Sequence, residues 1–231
     1  VAAAEADGAE YAAHRKALEN EKQAEIIRKL YPEVKIFTVT ADMTKAEDME
    51  KISSAVKENT GKVDILLNNA GTGANVRSVN ETEEGFDRVL SLNLKSCFFF
   101  SQKIANDFMI PQRKGKIVNM SSLSAFIGVP NAVAYSASKG AVLQMTKSLA
   151  GEWARFNIQV NCVCPGFVET PLIKENMENK NWMAYMNMRI PQKRLAKPED
   201  VVGSVLFMSS NLADYITGSS IIVDGGYSCS G

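Results

Sequence analysis

The stretch KIVNMSSLSAFIGVPNAVAYSASK, residues 116–139, decides how this chain is read. Its first five residues, Lys116-Ile117-Val118-Asn119-Met120, form a short apolar run that reads as a strand. Ser121 and Ser122 close it, and a long helical pattern covers residues 134–156. Within that pattern Tyr135 and Lys139 lie four residues apart, so they share a helix face. An ammonium beside a phenol favours the phenolate, and the pair is expected to lower the Tyr135 pKa. Such a tyrosine exchanges a proton near neutral pH, which an isolated tyrosine ionising near ~10 does not. A Ser122 hydroxyl at the strand's end, facing that tyrosine, could bind a carbonyl oxygen between them. Alone, a Tyr-x-x-x-Lys pair is common and usually marks a solvated helix face. Its weight depends on the rest of the chain.

Around this stretch, short β-branched runs alternate with helical patterns. Residues 34–39 and 63–67 read as strands, as do 159–164 and 220–223. Residues 45–59 read as a helix with Thr44 as N-cap and Glu47 completing a capping box. Residues 81–110 cover one or two helices, and 198–209 another. The alternation argues an α/β fold, a single-domain doubly wound parallel sheet of the Rossmann type spanning 1–231. In such sheets ligands bind beyond the carboxyl ends of the strands. Polar and turn-forming residues sit at those ends: Asp42, Asn68-Asn69-Ala70-Gly71, Ser121-Ser122 and Pro165-Gly166. Turn chemistry explains each one singly; four at one rim are better explained as one cleft.

Composition narrows the classes. A chain of 231 residues with 45% hydrophobic content can bury a substantial core. Lys plus Arg equals Asp plus Glu, at 26 each, which points to neither nucleic acid nor an anionic membrane surface. No apolar run approaches the ~20 residues a transmembrane helix needs. Val1-Ala2-Ala3-Ala4-Glu5 lacks the pattern of a signal peptide, and a cytoplasmic location is expected. Cys97, Cys162, Cys164 and Cys229 form no Cys-x-x-Cys pair, which fits free, mostly buried thiols in a reducing compartment. The single histidine, His14, has no zinc-binding partners in the pattern, and no metal is expected.

Asn68-Asn69-Ala70-Gly71, Asn93, Ser122, Tyr135-x-x-x-Lys139, Pro165-Gly166-x-x-x-Thr170 and Asp224-Gly225-Gly226 follow one another in order. This set resembles the short-chain dehydrogenase/reductase family, and within it gluconate 5-dehydrogenase-like and 3-oxoacyl-carrier-protein-reductase-like members. The resemblance implies an NAD(P)-dependent enzyme that interconverts a secondary alcohol and a ketone by hydride transfer. It also implies a homotetramer or homodimer packed partly through the two long helices. Tyr135 would be the general acid/base. Lys139 would lower its pKa and hold the nicotinamide ribose, Ser122 would hold the substrate oxygen, and Asn93 would position a water linking Lys139 to solvent. Asp42, with Met43 beside it, would sit near the adenine. Asn69, Ala70 and Gly71 would pass the adenosine ribose, where glycine admits close approach. Pro165 and Gly166 would line the cofactor, and Val168 and Thr170 would fix its carboxamide.

Three features qualify that reading. The family's opening strand and Thr-Gly-x-x-x-Gly-x-Gly turn have no counterpart; Gly8-Ala9-Glu10-Tyr11 reads as the end of the first helix entering the second strand. The expectation is that the natural protein has that turn. If the short start is genuine, the alternative is a non-catalytic ligand-binding or scaffold member, although a scaffold needs no intact Asn93–Ser122–Tyr135–Lys139 set. Next, His14-Arg15-Lys16 stands where the family selects its cofactor. A guanidinium at Arg15 can pair bidentately with a 2′-phosphate, favouring NADP(H) over NAD(H). Lastly, residues 172–197 occupy the place of a substrate lid. Trp182, Met183 and Met186 share helical spacing there, as either a packing stripe or an adaptable apolar cover. Phe126, Val129 and Pro130 could add an apolar wall. The candidate substrates are sugar acids or polyols, acyl thioesters, and steroids.

Overall fold

The four apolar runs from residue 63 onward assemble side by side. A computed structural model of the chain describes residues 20–73 and 75–229, which fall into two units divided between Asn59 and Thr60. In the second unit, β1 (Ile65–Asn68), β2 (Gly115–Met120), β3 (Ile158–Pro165) and β4 (Ser220–Val223) form a parallel sheet in the order β1-β2-β3-β4. Parallel pairing brings all four carboxyl ends, Asn68, Met120, Pro165 and Val223, to one rim.

β2 and β3 are apolar because both their faces are covered. Alternate β3 residues point to opposite faces. Val163 packs with Val118, Val201, Met208 and Ala213, whereas Cys162 and Cys164 pack with Leu143. Val201 and Met208 come from α9 (Pro198–Ser209), and Leu143 from α6 (Val133–Trp153), so the two helices cover opposite sides. Between β1 and β2, α3 (Glu83–Leu90), α4 (Ser96–Ile104) and the short α5 (Ile110–Gln112) run end to end. They are joined by wider π-type turns at Ser91–Lys95 and Ala105–Met109. Thr82 caps α3 by accepting from Gly85 N, with Glu83 and Glu84 in the first turn complementing the helix dipole. α7 (Lys174–Glu178) and α8 (Lys180–Arg189) precede α9.

A buried amide ties this framework together. Asn119, next to last in β2, accepts from Asn68 Nδ2 at 2.8 Å and donates to Thr146 Oγ1 at 2.9 Å. Asn68 Nδ2 also donates to Ser101 Oγ at 2.7 Å. One satisfied network thus links β1, β2, α4 and α6 just below the rim.

The first unit departs from two expectations. Residues 34–39 form no strand; among the described residues no ladder joins them. Side chains take nearby carbonyls instead: Arg28 Nη2 donates to Ile36 O at 3.0 Å, and Lys51 Nζ to Thr40 O at 3.1 Å. The helix after them, α2 (Ala46–Asn59), starts too late for Thr44 to cap it. Thr44 turns its hydroxyl to the Asp42 carboxylate at 2.8 Å, and Asp48 Oδ2 reaches back to Asp42 N at 2.6 Å. A further helix, α1, runs through residues 20–30. No helix among the described residues is long and apolar enough to cross a membrane.

Candidate active site

The β2 tip and α6 are stitched by two adjacent serines with different tasks. Ser121 N donates to Val163 O at 2.8 Å, and Ser121 Oγ donates to Lys139 O at 2.7 Å, pinning α6 against the sheet. Ser122 faces the other way. Its oxygen accepts from Ser124 N at 3.1 Å, and its side chain lies near enough to Tyr135 to lower the phenol's pKa. Lys139, one helical turn beyond Tyr135, puts Nζ 5.6 Å from the tyrosine ring centroid. The three residues singled out in the sequence therefore meet at the sheet's carboxyl rim.

The expected acidification of Tyr135 is overturned. Burial pushes the phenol above the ordinary tyrosine value, and Ser122 offsets only part of that rise. Lys139 does not reverse it, because its ammonium donates to the Met120 carbonyl at 2.8 Å rather than to the phenol. Burial likewise pulls the Lys139 pKa below its ordinary value, opposed by the thiols of Cys97, Cys162 and Cys164. Tyr135 consequently holds its proton at neutral pH.

Asn93 sits within the π-type turn between α3 and α4, only 2% exposed. Such turns widen a helix by one residue and recur at functional sites. Its Oδ1 accepts from Thr72 N at 2.8 Å, and its Nδ2 donates to Thr72 O at 2.8 Å and to Ser138 Oγ at 2.9 Å. Ser138 Oγ in turn donates to Tyr135 O at 2.7 Å. Asn93 thereby clamps the loop after β1 onto the turn of α6 that carries Tyr135. Sequence reasoning named Asn93 and placed Ser121 at the rim beside Ser122, but missed the bond of Ser121 to α6 and missed Thr72 and Ser138. The doubled serine was the available signal for that bond, since adjacent residues at a strand end face opposite ways.

Asn69, Ala70 and Gly71 lie on the loop leaving β1. A Cβ at Gly71 would lie 3.3 Å from Asn93 Oδ1 and 3.5 Å from Lys139 Nζ, so the bare backbone passes directly beside the site. At the β3 tip, after Pro165, a Cβ on Gly166 would come within 2.8 Å of Asp224 Cβ and 2.9 Å of its Cα. Only glycine lets this tip pass the end of β4. Val168 bridges Ala196, and Thr170 Oγ1 donates to Val168 O at 3.3 Å. These residues share the rim with the Ser122–Tyr135–Lys139 group. Asp42 and Met43 belong to the first unit, and Arg15 lies outside the described residues.

Within residues 172–197, Met186, Ile190 and Leu195 are buried, and Trp182, Met183, Phe167 and Tyr227 pack around them. The Phe167 ring meets Trp182 edge-on at 5.8 Å and lies 5.3 Å from Tyr227. The helical stripe is therefore packing. Leu172, Tyr185 and Met188 are the exposed large apolar residues of the segment. A cavity of about 380 Å³ lined by Phe167, Ile190, Arg194, Asp200 and Asp224 includes none of Asn93, Ser122, Tyr135 or Lys139.

A serine, a tyrosine and a lysine converging on the carboxyl rim of a parallel sheet define a dinucleotide-dependent oxidoreductase class. A family model described as enoyl-(acyl carrier protein) reductase matches residues 1–228. The chain is 36% identical to a 2-dehydro-3-deoxy-D-gluconate 5-dehydrogenase from Dickeya dadantii, over 84% of this chain and 76% of that protein. It is 40% identical to an NAD-dependent glycerol dehydrogenase from Listeria innocua, over 80% of this chain and 72% of the relative. The structure of a gluconate 5-dehydrogenase from Burkholderia cenocepacia, in complex with NADP and tartrate, superposes with a TM-score of 0.79 at 28% identity, over 82% of this chain and 74% of that one. The chain belongs to the short-chain dehydrogenase/reductase family, NAD(P)-dependent oxidoreductases of alcohols and ketones.

Proposed function

We propose that this chain interconverts a small hydroxylated ketone and its alcohol, of the sugar-acid or polyol class, with Tyr135 as the proton-transferring residue. One observation carries the proposal: Ser122, Tyr135 and Lys139 converge at the carboxyl rim, with Ser122 near enough to lower the phenol's pKa and Lys139 Nζ 5.6 Å from the Tyr135 ring centroid. The site fits a nicotinamide dinucleotide, because the Gly71 backbone leaves open a cradle that a Cβ would fill against Asn93 and Lys139. Lys139 would hold the ribose, and Asn69, Ala70, Gly71, Pro165, Gly166, Val168 and Thr170 would line it. Asp42 and Met43 would serve the adenine end. The bound nicotinamide supplies the hydride.

The residues of this chain supply the rest. Ser122 and Tyr135 hold the carbonyl oxygen between two hydroxyls. Tyr135, kept neutral by burial, gives its proton to that oxygen as the alcohol forms. Asn93 keeps the β1 loop and α6 in register and would position a water toward Lys139. Residues 172–197 would serve as the substrate lid. The names of the Dickeya and Listeria relatives and the tartrate in the Burkholderia structure support a polyhydroxylated substrate over a steroid or thioester. Arg15 favours NADP(H), as does the NADP complex of the Burkholderia protein, against the NAD dependence of the Listeria relative. A cytoplasmic homotetramer or homodimer completes the reading.

The test follows NADPH and NADH consumption with sugar-acid ketones, dihydroxyacetone, a β-ketoacyl thioester and a ketosteroid. The expected result is turnover of the hydroxylated ketones, lost in Tyr135→Phe while fluorescence titration shows nucleotide binding retained. Full turnover by Tyr135→Phe overturns the mechanism; preference for the thioester or steroid overturns the substrate class.

A further inference from the structure

Gly73, two residues beyond Gly71, lies beside the ring of Tyr135. A Cβ built on it would lie 3.5 Å from Tyr135 Cδ2 and 3.9 Å from Cε2. The same point lies 3.6 Å from Leu172 Cδ1. Leu172 belongs to the short turn Pro171–Ile173 that opens the lid segment, and it is 56% exposed. A leucine that exposed is not held there by core packing. The ring of Tyr135 is therefore flanked by a side-chain-free backbone position and by one lid leucine closing on the same spot. Ser122 engages the phenol at its hydroxyl end.

We infer that Gly73 and Leu172 form a size gate beside Tyr135 that admits only a narrow, unbranched substituent of the carbonyl carbon. This rests on the assignment of Tyr135 as the proton donor. Once Ser122 and Tyr135 fix the carbonyl oxygen, the two carbon substituents must lie to either side of it. The substituent on the Gly73 side meets the glycine backbone and the Leu172 methyls. Hydrogen, methyl and hydroxymethyl groups fit such a slot; a carbon branched next to the carbonyl does not. The gate thereby specifies terminal ketoses and small hydroxyketones, with the longer polyhydroxylated arm directed away.

Gly73→Ala and Leu172→Ala test the gate from its two sides. The added methyl of Gly73→Ala would make only ordinary van der Waals contacts at 3.5 to 3.9 Å, so the variant should fold normally. Glyceraldehyde places hydrogen in the gate, dihydroxyacetone a hydroxymethyl group, and 2,4-dihydroxypentan-3-one, branched at both flanking carbons, a branched carbon whichever way it binds. Gly73→Ala should lower the dihydroxyacetone-to-glyceraldehyde ratio of kcat/KM by about 10-fold or more, the scale of a methyl-sized misfit. Leu172→Ala should raise the branched-to-unbranched ratio by a similar factor. Melting temperature and nucleotide affinity should stay at wild-type values in both. Ratios unchanged within about twofold, or a uniform loss on all three probes, overturn the gate. Wild-type turnover abolished by Tyr135→Phe but with unmoved ratios rejects the gate alone. Turnover that survives in Tyr135→Phe rejects the assignment of Tyr135 and the gate with it.

Discussion

Lys139 and Tyr135 share a face of α6, yet the lysine gives its hydrogen bond to the Met120 carbonyl at 2.8 Å and stands 5.6 Å from the tyrosine ring centroid. The acidity of the phenol is accordingly set by burial and by Ser122 rather than by the ammonium. With Tyr135 in its proposed role, a phenol poised to keep its proton suits the reductive direction.

That poise has a signed pH dependence. The folded-state pKa of Tyr135 lies above the unfolded value near ~10. Its contribution to stability is therefore complete below that value and is lost as pH rises through the folded pKa. Melting temperatures of wild type and Tyr135→Phe, compared across the alkaline range, should diverge above about pH 10, with wild type losing more. Ketone reduction should fall over that limb and alcohol oxidation should rise. A wild-type phenol ionising near neutral pH in an ultraviolet difference titration would contradict this.

Asn93 makes its hydrogen bonds with both backbone groups of Thr72 and with Ser138. Asn93→Ala strands buried donors and acceptors, each worth roughly 1–3 kcal/mol. Urea denaturation should show a loss of that order or slightly more. Turnover should fall further than the loss of folded protein explains, because the clamp also sets the position of Tyr135 through Ser138. Asn93→Asp should rescue neither, since a carboxylate accepts from Thr72 N but cannot donate to Thr72 O. Wild-type stability in Asn93→Ala would remove the clamp.

The order of strands and helices from residue 63 onward was legible because each run had a clear period and its own turn residues. Residues 198–209 and 220–223 match their observed bounds. The 34–39 run was illegible for a physical reason: a β-branched segment becomes a strand only where a neighbour supplies a ladder, and propensity does not report that. The Ser122–Tyr135–Lys139 grouping was legible from spacing and resemblance. The direction of the Tyr135 pKa was not, because helical spacing shows that two side chains share a face and not which acceptor the lysine chooses. Ser138 and Thr72 escaped notice because serines and threonines are ordinary in turns and helices until their partners are known.

Beside the carboxyl end of β4, Arg194 grips Asp200 with two hydrogen bonds, at 2.6 and 2.9 Å, and Lys197 N donates to the same carboxylate at 2.7 Å. Arg194 is the first cause, and the backbone donor the second, that hold Asp200 down at about 2 against an ordinary 3.8. A depressed carboxyl stabilises the fold above its unfolded pKa and loses that contribution as pH falls through the folded one. Asp200→Asn should melt a few degrees lower at neutral pH. The difference from wild type should shrink between pH 3.8 and about 2. Turnover at moderate temperature should not change, and a lost activity would mean that this pair reaches the site.

The four cysteines should separate by reactivity. Cys229 is exposed, whereas Cys97, Cys162 and Cys164 are buried. Burial pushes the Cys97 thiol up to about 12, so almost none of it is thiolate at neutral pH. Cys162 and Cys164 bring their sulfurs within 3.7 Å on one side of β3; the contact lowers the pKa of Cys162 and raises that of Cys164. An aromatic disulfide reagent should therefore consume one thiol per chain in the native protein, abolished by Cys229→Ser, and four in denaturant. Because the Cys162–Cys164 pair lies beneath Ser121 and Lys139, its modification should coincide with loss of turnover, whereas labelling Cys229 should leave turnover intact. Rapid native labelling of two or more thiols would mean that the β3–α6 layer opens far more readily than its packing implies.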